Sequence, residues 1–294
     1  MSHPFHIVDV FAEQKYAGNQ LAVVSAAGDL STAVMQRIAR ETNFSETTFI
    51  VSEPRTDQAT GVRIFTPGAE LPFAGHPTLG TAWVIRSELL RERPKVVTLD
   101  LPIGPVPVRF AAESSGGELA WMRPPLPELG PVHRPDDVAA LVGLTTDEID
   151  SGFPVQTVSV GIAFTMIPVR SLASMRRARV NTAAIERLTD APFPLQFFLF
   201  APETYHAEHQ INARMFAAHY GVPEDPATGS ANACLGVYLA RHHYFGSGTI
   251  DVRVEQGYEI GRRSLLFVRA GQDSEGLAVE VGGHVVLVAR GELL

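Results

Sequence analysis

One phrase occurs twice in this chain, once in each half. His76-Pro77-Thr78-Leu79-Gly80-Thr81-Ala82 and Asp225-Pro226-Ala227-Thr228-Gly229-Ser230-Ala231 share a Pro-x-x-Gly-hydroxyl-Ala frame, and each follows a strand-like Arg-x-Phe, Arg63-Ile64-Phe65 and Arg214-Met215-Phe216. An offset near half the chain length points to a duplicated fold whose halves face each other. A cleft between them would hold His76 and Asp225 at corresponding places.

The 294 residues can bury a large core and suffice for two domains of ordinary size. We place the halves at 1–120, carrying Glu46 and His76, and 121–294, carrying Asp225, with the last strand free to pack back on the first half. The crossing falls in the proline-dense segment from Met122-Arg123-Pro124-Pro125-Leu126-Pro127 to Pro135. With 24 basic and 32 acidic residues the net charge is −8, which disfavours nucleic acid as a partner. One cysteine, Cys234, excludes an internal disulfide framework and a multi-cysteine zinc site, and fits a reducing compartment, so a cytoplasmic protein is expected. The start of the chain lacks an export leader, and the most apolar stretch, Val155 to Val169, is interrupted by Gln156, Ser159, Gly161 and Pro168, so no membrane association is expected.

Short apolar runs punctuated by Gly and Pro read as strands, six in the first half from Ile7–Phe11 to Val106–Phe110 and eight in the second from Thr157–Val160 to Val285–Ala289. Ser31 caps a helix running to about Thr42, with Val34, Met35, Ile38 and Ala39 on one face, and Thr182–Leu188 is its counterpart. The two motif helices, Pro77–Ile85 and Ser230–Ala240, are apolar or small almost all round. A helix without a polar face is buried on all sides. A curved sheet wrapped around each, approached closely at Gly80 and Gly236, meets that requirement. The predicted class is therefore α+β, two similar pseudo-symmetric domains, each a strand-rich barrel-like sheet around a central apolar helix.

Period-two alternation along Phe44 to Val51 sets Glu46 on the face of Phe44, Thr48 and Ile50. A carboxyl there would be partly desolvated, and burial raises its pKa toward values useful for holding and releasing a proton. The corresponding strand, Phe193 to Phe198, carries no acid. The competing reading is a strand-end Glu turned to solvent or paired with Arg40 or Arg63. His76 and Asp225 precede prolines at helix starts, where unpaired N–H groups favour anions; Gly75, Gly80, Thr81, Gly229 and Ser230 would line a carboxylate cradle. Asp225 as a simple N-cap and His76 as a loop residue are the plainer alternatives. Asn19 lies in a turn before a strand, whereas the matching turn, Val160 to Ala163, has no polar side chain. His206-Ala207-Glu208-His209 reads as a loop with solvated histidines rather than a metal site, and Cys234 as a small core residue. No dinucleotide, phosphate-loop, zinc-protease or serine-hydrolase motif is found.

Together these residues resemble a known family, the phenazine-biosynthesis PhzF-like isomerases, relatives of diaminopimelate epimerase and proline racemase. The resemblance spans nearly the whole chain: Val8-Asp9-Val10-Phe11 with Gly18-Asn19, Asn43 to Phe49, Phe65-Thr66-Pro67 through Glu70, Gly75-His76-Pro77-Thr78, Asp225 to Ala231, and Glu255-Gln256-Gly257 leading to Gly261-Arg262. It implies the diaminopimelate epimerase-like fold, a homodimer, and an isomerisation of the dihydro-hydroxyanthranilate type that uses no cofactor and no metal. By position it makes Glu46 the acid/base, with Asn19, His76, Asp225 and Ser230 binding and polarising the substrate and His76 or Asp225 joining the proton relay. The racemase relatives use two cysteines, whereas the aligned positions here are Gly75 or His76 and Asp225 or Pro226, so a two-thiol racemisation is excluded. An epimerase pairing Glu46 with Asp225 or His76, and a binding protein without turnover, are the other readings of the same residues.

Overall fold

The computed structural model describes residues 2–113, 117–124, 127–188, 191–274 and 276–294. They fall into two compact units, Met1–Arg123 with Gly282–Leu294, and Pro124–Val281. The first unit contains β1 (His3–Val10), β2 (Asn19–Val24), α1 (Thr32–Thr42), β3 (Glu46–Ile50), β4 (Thr60–Phe65), β5 (Glu70–Leu71), α2 (Gly75–Val84), β6 (Val96–Leu101), β7 (Gly104–Ala112) and β8 (Glu118–Met122). The second contains β9 (Glu128–His133), α3 (Pro135–Ala139), β10 (Val155–Ser159), β11 (Ala163–Pro168), α4 (Leu172–Arg177), α5 (Thr182–Ile185), β12 (Phe197–Ala201), β13 (Ile211–Ala217), β14 (Val222–Asp225), α6 (Gly229–Arg241), β15 (Ile250–Gln256), β16 (Ser264–Asp273) and β17 (Gly276–Gly283), whose last two residues belong to the first unit. β18 (Val285–Leu293) returns to the first unit and pairs antiparallel with β1.

The two units repeat one pairing scheme. In the first, β1–β2 is antiparallel, β2–β3 parallel, β3–β4 antiparallel, β4–β6 parallel and β6–β7 antiparallel. In the second, β10–β11, β11–β12, β12–β13, β13–β15 and β15–β16 follow the same alternation. The outer partner is antiparallel in both, β18 on β1 and β9 on β10. The fold is the expected α+β class with two similar halves.

Each apolar helix is enclosed by its own sheet. α2 packs on β1, β2, β3, β6, β7, β8 and β18, and α6 on β10, β11, β15 and β16. Every residue of α6 from Gly229 to Ala240 is buried. The enclosure is tight enough to require glycine. A Cβ on Gly80 would lie 2.6 Å from Leu21 Cδ2 and 2.8 Å from Val10 Cγ2, and one on Gly236 would lie 2.6 Å from Val268 Cγ1. Side chains add a polar pin in the first unit, where the buried Thr48 and Thr81 hydroxyls meet at 2.7 Å and tie α2 to β3. On the other face of β3, Phe49 joins Val24, Met35, Ala39 and Phe65 in a core under α1. α1 itself begins as expected, with Ser31 accepting from the Val34 N–H, and ends on Asn43 in the left-handed region.

Three local expectations are corrected. Part of the proline-dense crossing, Glu128–His133, is strand β9; Pro131 is accommodated because the β9–β10 register shifts between Gln156 and Val158, opposite Gly130 and Pro131. Pro125 and Leu126 of that crossing lie outside the described residues. The helix expected over Thr182–Leu188 is a single turn, α5. The His206–His209 loop is not simply solvated: the side chain of His209 is only 7% exposed and its Nδ1 lies 2.8 Å from Glu255 Oε1, while the Tyr205 and His206 N–H groups donate to the same fully buried carboxylate. Glu255 thereby anchors the loop.

Candidate active site

In the first unit, three elements bring Asn19, Glu46 and His76 together. Asn19 opens β2 after Gly18, whose left-handed φ of 64° and crowded surroundings exclude a side chain: a Cβ there would sit 2.3 Å from the Val10 carbonyl oxygen. Glu46 opens β3, and the parallel register sets it beside Leu21 of β2. His76 is the second residue of α2. The pleat that points Thr48 at α2 points Glu46 the same way, so Glu46 Oε2 comes within 3.4 Å of His76 Nε2. On its other side, His76 Nδ1 lies 3.3 Å from Asn19 Nδ2.

This carboxyl is largely withdrawn from water, its side chain 15% exposed and that of His76 6%. The two arginines considered as partners for Glu46 are engaged elsewhere: Arg63 binds Glu70 bidentately, and Arg40 donates to the Pro67 carbonyl. Burial pushes the His76 imidazole down to about 3, against a smaller upward pull from the Gln20 backbone. At neutral pH the ring is uncharged and has one N–H and one acceptor nitrogen. Nδ1 accepting from the Asn19 amide leaves Nε2–H facing the Glu46 carboxyl.

In the second unit, Asp225 ends β14 and is buried. It is not the helix cap; Thr228 holds that place and α6 starts at Gly229, so Gly229 and Ser230 carry the first-turn N–H groups. The duplicated phrases therefore meet their helices differently, because α2 starts at Gly75, ahead of His76. Gly75 and His76 lie in the first turn of α2, while Gly80 and Thr81 lie deeper in the helix, one packed against β1 and β2 and the other bonded to Thr48. The Asp225–Thr228 turn is held from beneath by Gln256, which is fully buried and bonds Asp225, Thr228 and Asn232. Gly257 lets that strand end pass under the turn, since a Cβ there would lie 2.6 Å from the Pro226 carbonyl.

Thr228, Asn232 and the structural part played by Gln256 were not read from the sequence. The available signal was the acid-amide-glycine run Glu255-Gln256-Gly257, in which alternation sends the acid to one face of β15 and the amide to the other. Cys234 lies in the core of α6 with its Sγ 3.4 Å from the Val158 carbonyl, and burial pushes its thiol pKa up, away from nucleophilic use. Among the described residues no group of three or more His, Cys, Asp or Glu side chains is arranged to hold a metal ion, and no helix is long and apolar enough to cross a membrane.

A family model described as phenazine biosynthesis-like protein matches residues 8–291. The trans-2,3-dihydro-3-hydroxyanthranilate isomerase of Pseudomonas aeruginosa is 37% identical, with 98% of each chain covered. The crystal structure of a phenazine biosynthesis protein of the PhzF family from Bacillus anthracis superimposes with a TM-score of 0.89 at 27% identity, over 100% of this chain and 99% of the other. A hydroxyproline epimerase from Agrobacterium vitis, at 11% identity and a TM-score of 0.62 over 99% and 92% of the chains, shares the fold alone.

Proposed function

Taking as premise that this chain belongs to the phenazine biosynthesis-like family and is an isomerase, we propose that it shifts a proton between carbons of a small carboxylate-bearing substrate, cyclic or amino-acid-like. Glu46 is the general acid/base. The observation that carries this reading is the Glu46–His76 contact at 3.4 Å in a largely buried setting, beside a histidine that burial keeps neutral.

In the proposed cycle the Glu46 carboxylate takes a proton from an sp³ carbon, and the electron pair left behind delocalises into the adjoining unsaturated system. The protonated carboxyl then returns the proton to a different carbon of that system, and the double bond moves. No net oxidation occurs, so no electron acceptor enters the balance, and the reaction is proposed to proceed without a cofactor. His76 stays neutral throughout, its Nδ1 accepting from the Asn19 amide and its Nε2–H directed at the Glu46 carboxyl. Asp225 is proposed as the second ionisable group of the reaction, with Ser230, Gly229 and Gly75 offering donors to the substrate. The enzyme is further proposed to be cytoplasmic, in keeping with its single cysteine, and to work as a homodimer, as the resemblance implies.

An epimerisation by the same groups would invert one centre instead of moving a double bond. Incubation of cyclic and amino-acid carboxylates with the enzyme in deuterated water, followed by NMR, separates the outcomes: a shifted double bond with deuterium at the new C–H, or deuterium at an inverted centre. Glu46→Gln is expected to abolish exchange while ligand affinity stays within about tenfold, since the carboxyl acts mainly in the transition state. Exchange at the wild-type rate by this variant refutes the assignment, and ligand binding without exchange by the wild type leaves a binding protein.

A further inference from the structure

Asp225 ends a chain of buried polar side chains whose hydrogen-bond directions can be worked out from the backbone. Gln256 is completely buried, and so is Asn232. Gln256 meets two backbone groups whose roles are not negotiable: the Thr228 N–H, 3.2 Å from Oε1, can only donate, and the Asp225 carbonyl, 2.9 Å from Nε2, can only accept. The amide therefore has one permitted orientation. Asn232 Nδ2 reinforces it by donating to Gln256 Oε1 at 2.9 Å and to the Thr228 carbonyl at 3.0 Å.

With the amide fixed, its Nε2 donates to Thr228 Oγ1 at 3.1 Å. That hydroxyl has a single proton, and Asp225 Oδ2 lies at 2.5 Å on its other side. Accepting from Gln256, the Thr228 hydroxyl directs its proton to the carboxylate. A hydrogen bond donated to the charged form favours ionisation.

We infer that Thr228 and Gln256 are positioning residues of the reaction: Gln256 orients the Thr228 hydroxyl, and that hydroxyl holds Asp225 ionised and in one direction. This rests on the part given to Asp225 in the proposed function. Neither residue needs to touch substrate, because both act through Asp225.

The test follows the Asp225 carboxyl by ¹³C NMR through a pH titration of the ligand-free protein, alongside the pH profile of substrate deuterium exchange. Thr228→Val is expected to raise the Asp225 midpoint by about one unit and to move the acid limb of the exchange profile up by the same amount, with ligand affinity unchanged. Thr228→Ser is expected to restore both. Gln256→Met, which leaves the hydroxyl but removes its orienting donor, is expected to shift both in the same direction by less, and it serves as the test if Thr228→Val fails to fold. An Asp225 midpoint equal to wild type in a folded Thr228→Val protein, or in Gln256→Met where only that variant folds, overturns the inference. So does a shifted midpoint with an unmoved exchange profile. Exchange at the wild-type rate by Asp225→Asn would instead remove Asp225 from the proposed function, while the titration would still report on the hydroxyl.

Discussion

His76 illustrates how one residue's environment changes its chemistry. Exposed, an imidazole titrates near neutrality; here it is enclosed between Asn19 and Glu46 on the first turn of a buried helix, and its pKa falls to about 3. The consequence for stability has a definite sign. Between about 6.5 and 3 the unfolded chain binds a proton at His76 that the folded chain does not, so the folded state loses stability as pH falls through this window. From pH 7 to pH 5 this loss amounts to about 2 kcal/mol. Replacing His76 with Asn should flatten that part of the dependence, which urea unfolding at the two pH values would measure; an equally steep loss in the variant would show that His76 is not the group responsible. Asn19 and Glu46 were legible as singular polar residues lacking counterparts in the other half. Their meeting with His76 was not, since it depends on a parallel register between β2 and β3 that residue types do not encode.

At the scale of elements, alternation and helix polarity carried most of the information. Period two along β3 correctly set Glu46 on the face of Thr48, and the two helices without a polar face are enclosed as expected. The exact starts of those helices were decided elsewhere. The repeated phrase suggested equivalent helix beginnings, yet α2 begins ahead of His76 and α6 only at Gly229, because in the second unit Gln256 and Thr228 bind the Asp225 turn in a non-helical conformation. Strand β9 was missed because Gly130 and Pro131 look like a linker and are tolerated only through a register shift. β18 offers a direct check of how elements far apart in sequence complete one sheet. Residues His3–Val10 of β1 pair with Val285–Leu293, so deleting residues 285–294 should strip β1 amides of their hydrogen-exchange protection. Retained protection across β1 in that truncation would mean that β2 and the α2 contacts hold the strand without it.

For the whole molecule, the resemblance implies a homodimer, and light scattering of the purified protein should give twice the mass of one chain; a single-chain mass at the concentrations where turnover is measured would make the monomer the working unit. What the amino-acid order alone determined is the class of fold, its duplication and the burial of two central helices, which follow from periodicity, composition and repeated local motifs; it also nominated Glu46, His76 and Asp225 as the residues proposed to move protons. Only the tertiary structure decided that Glu46 faces a neutral His76, that Thr81 bonds Thr48, and that Asp225 is tied to Gln256 through Thr228. Those outcomes depend on distances between residues remote in the chain. Strand register, close packing and the dry interior set such distances, and no local pattern in the sequence records them.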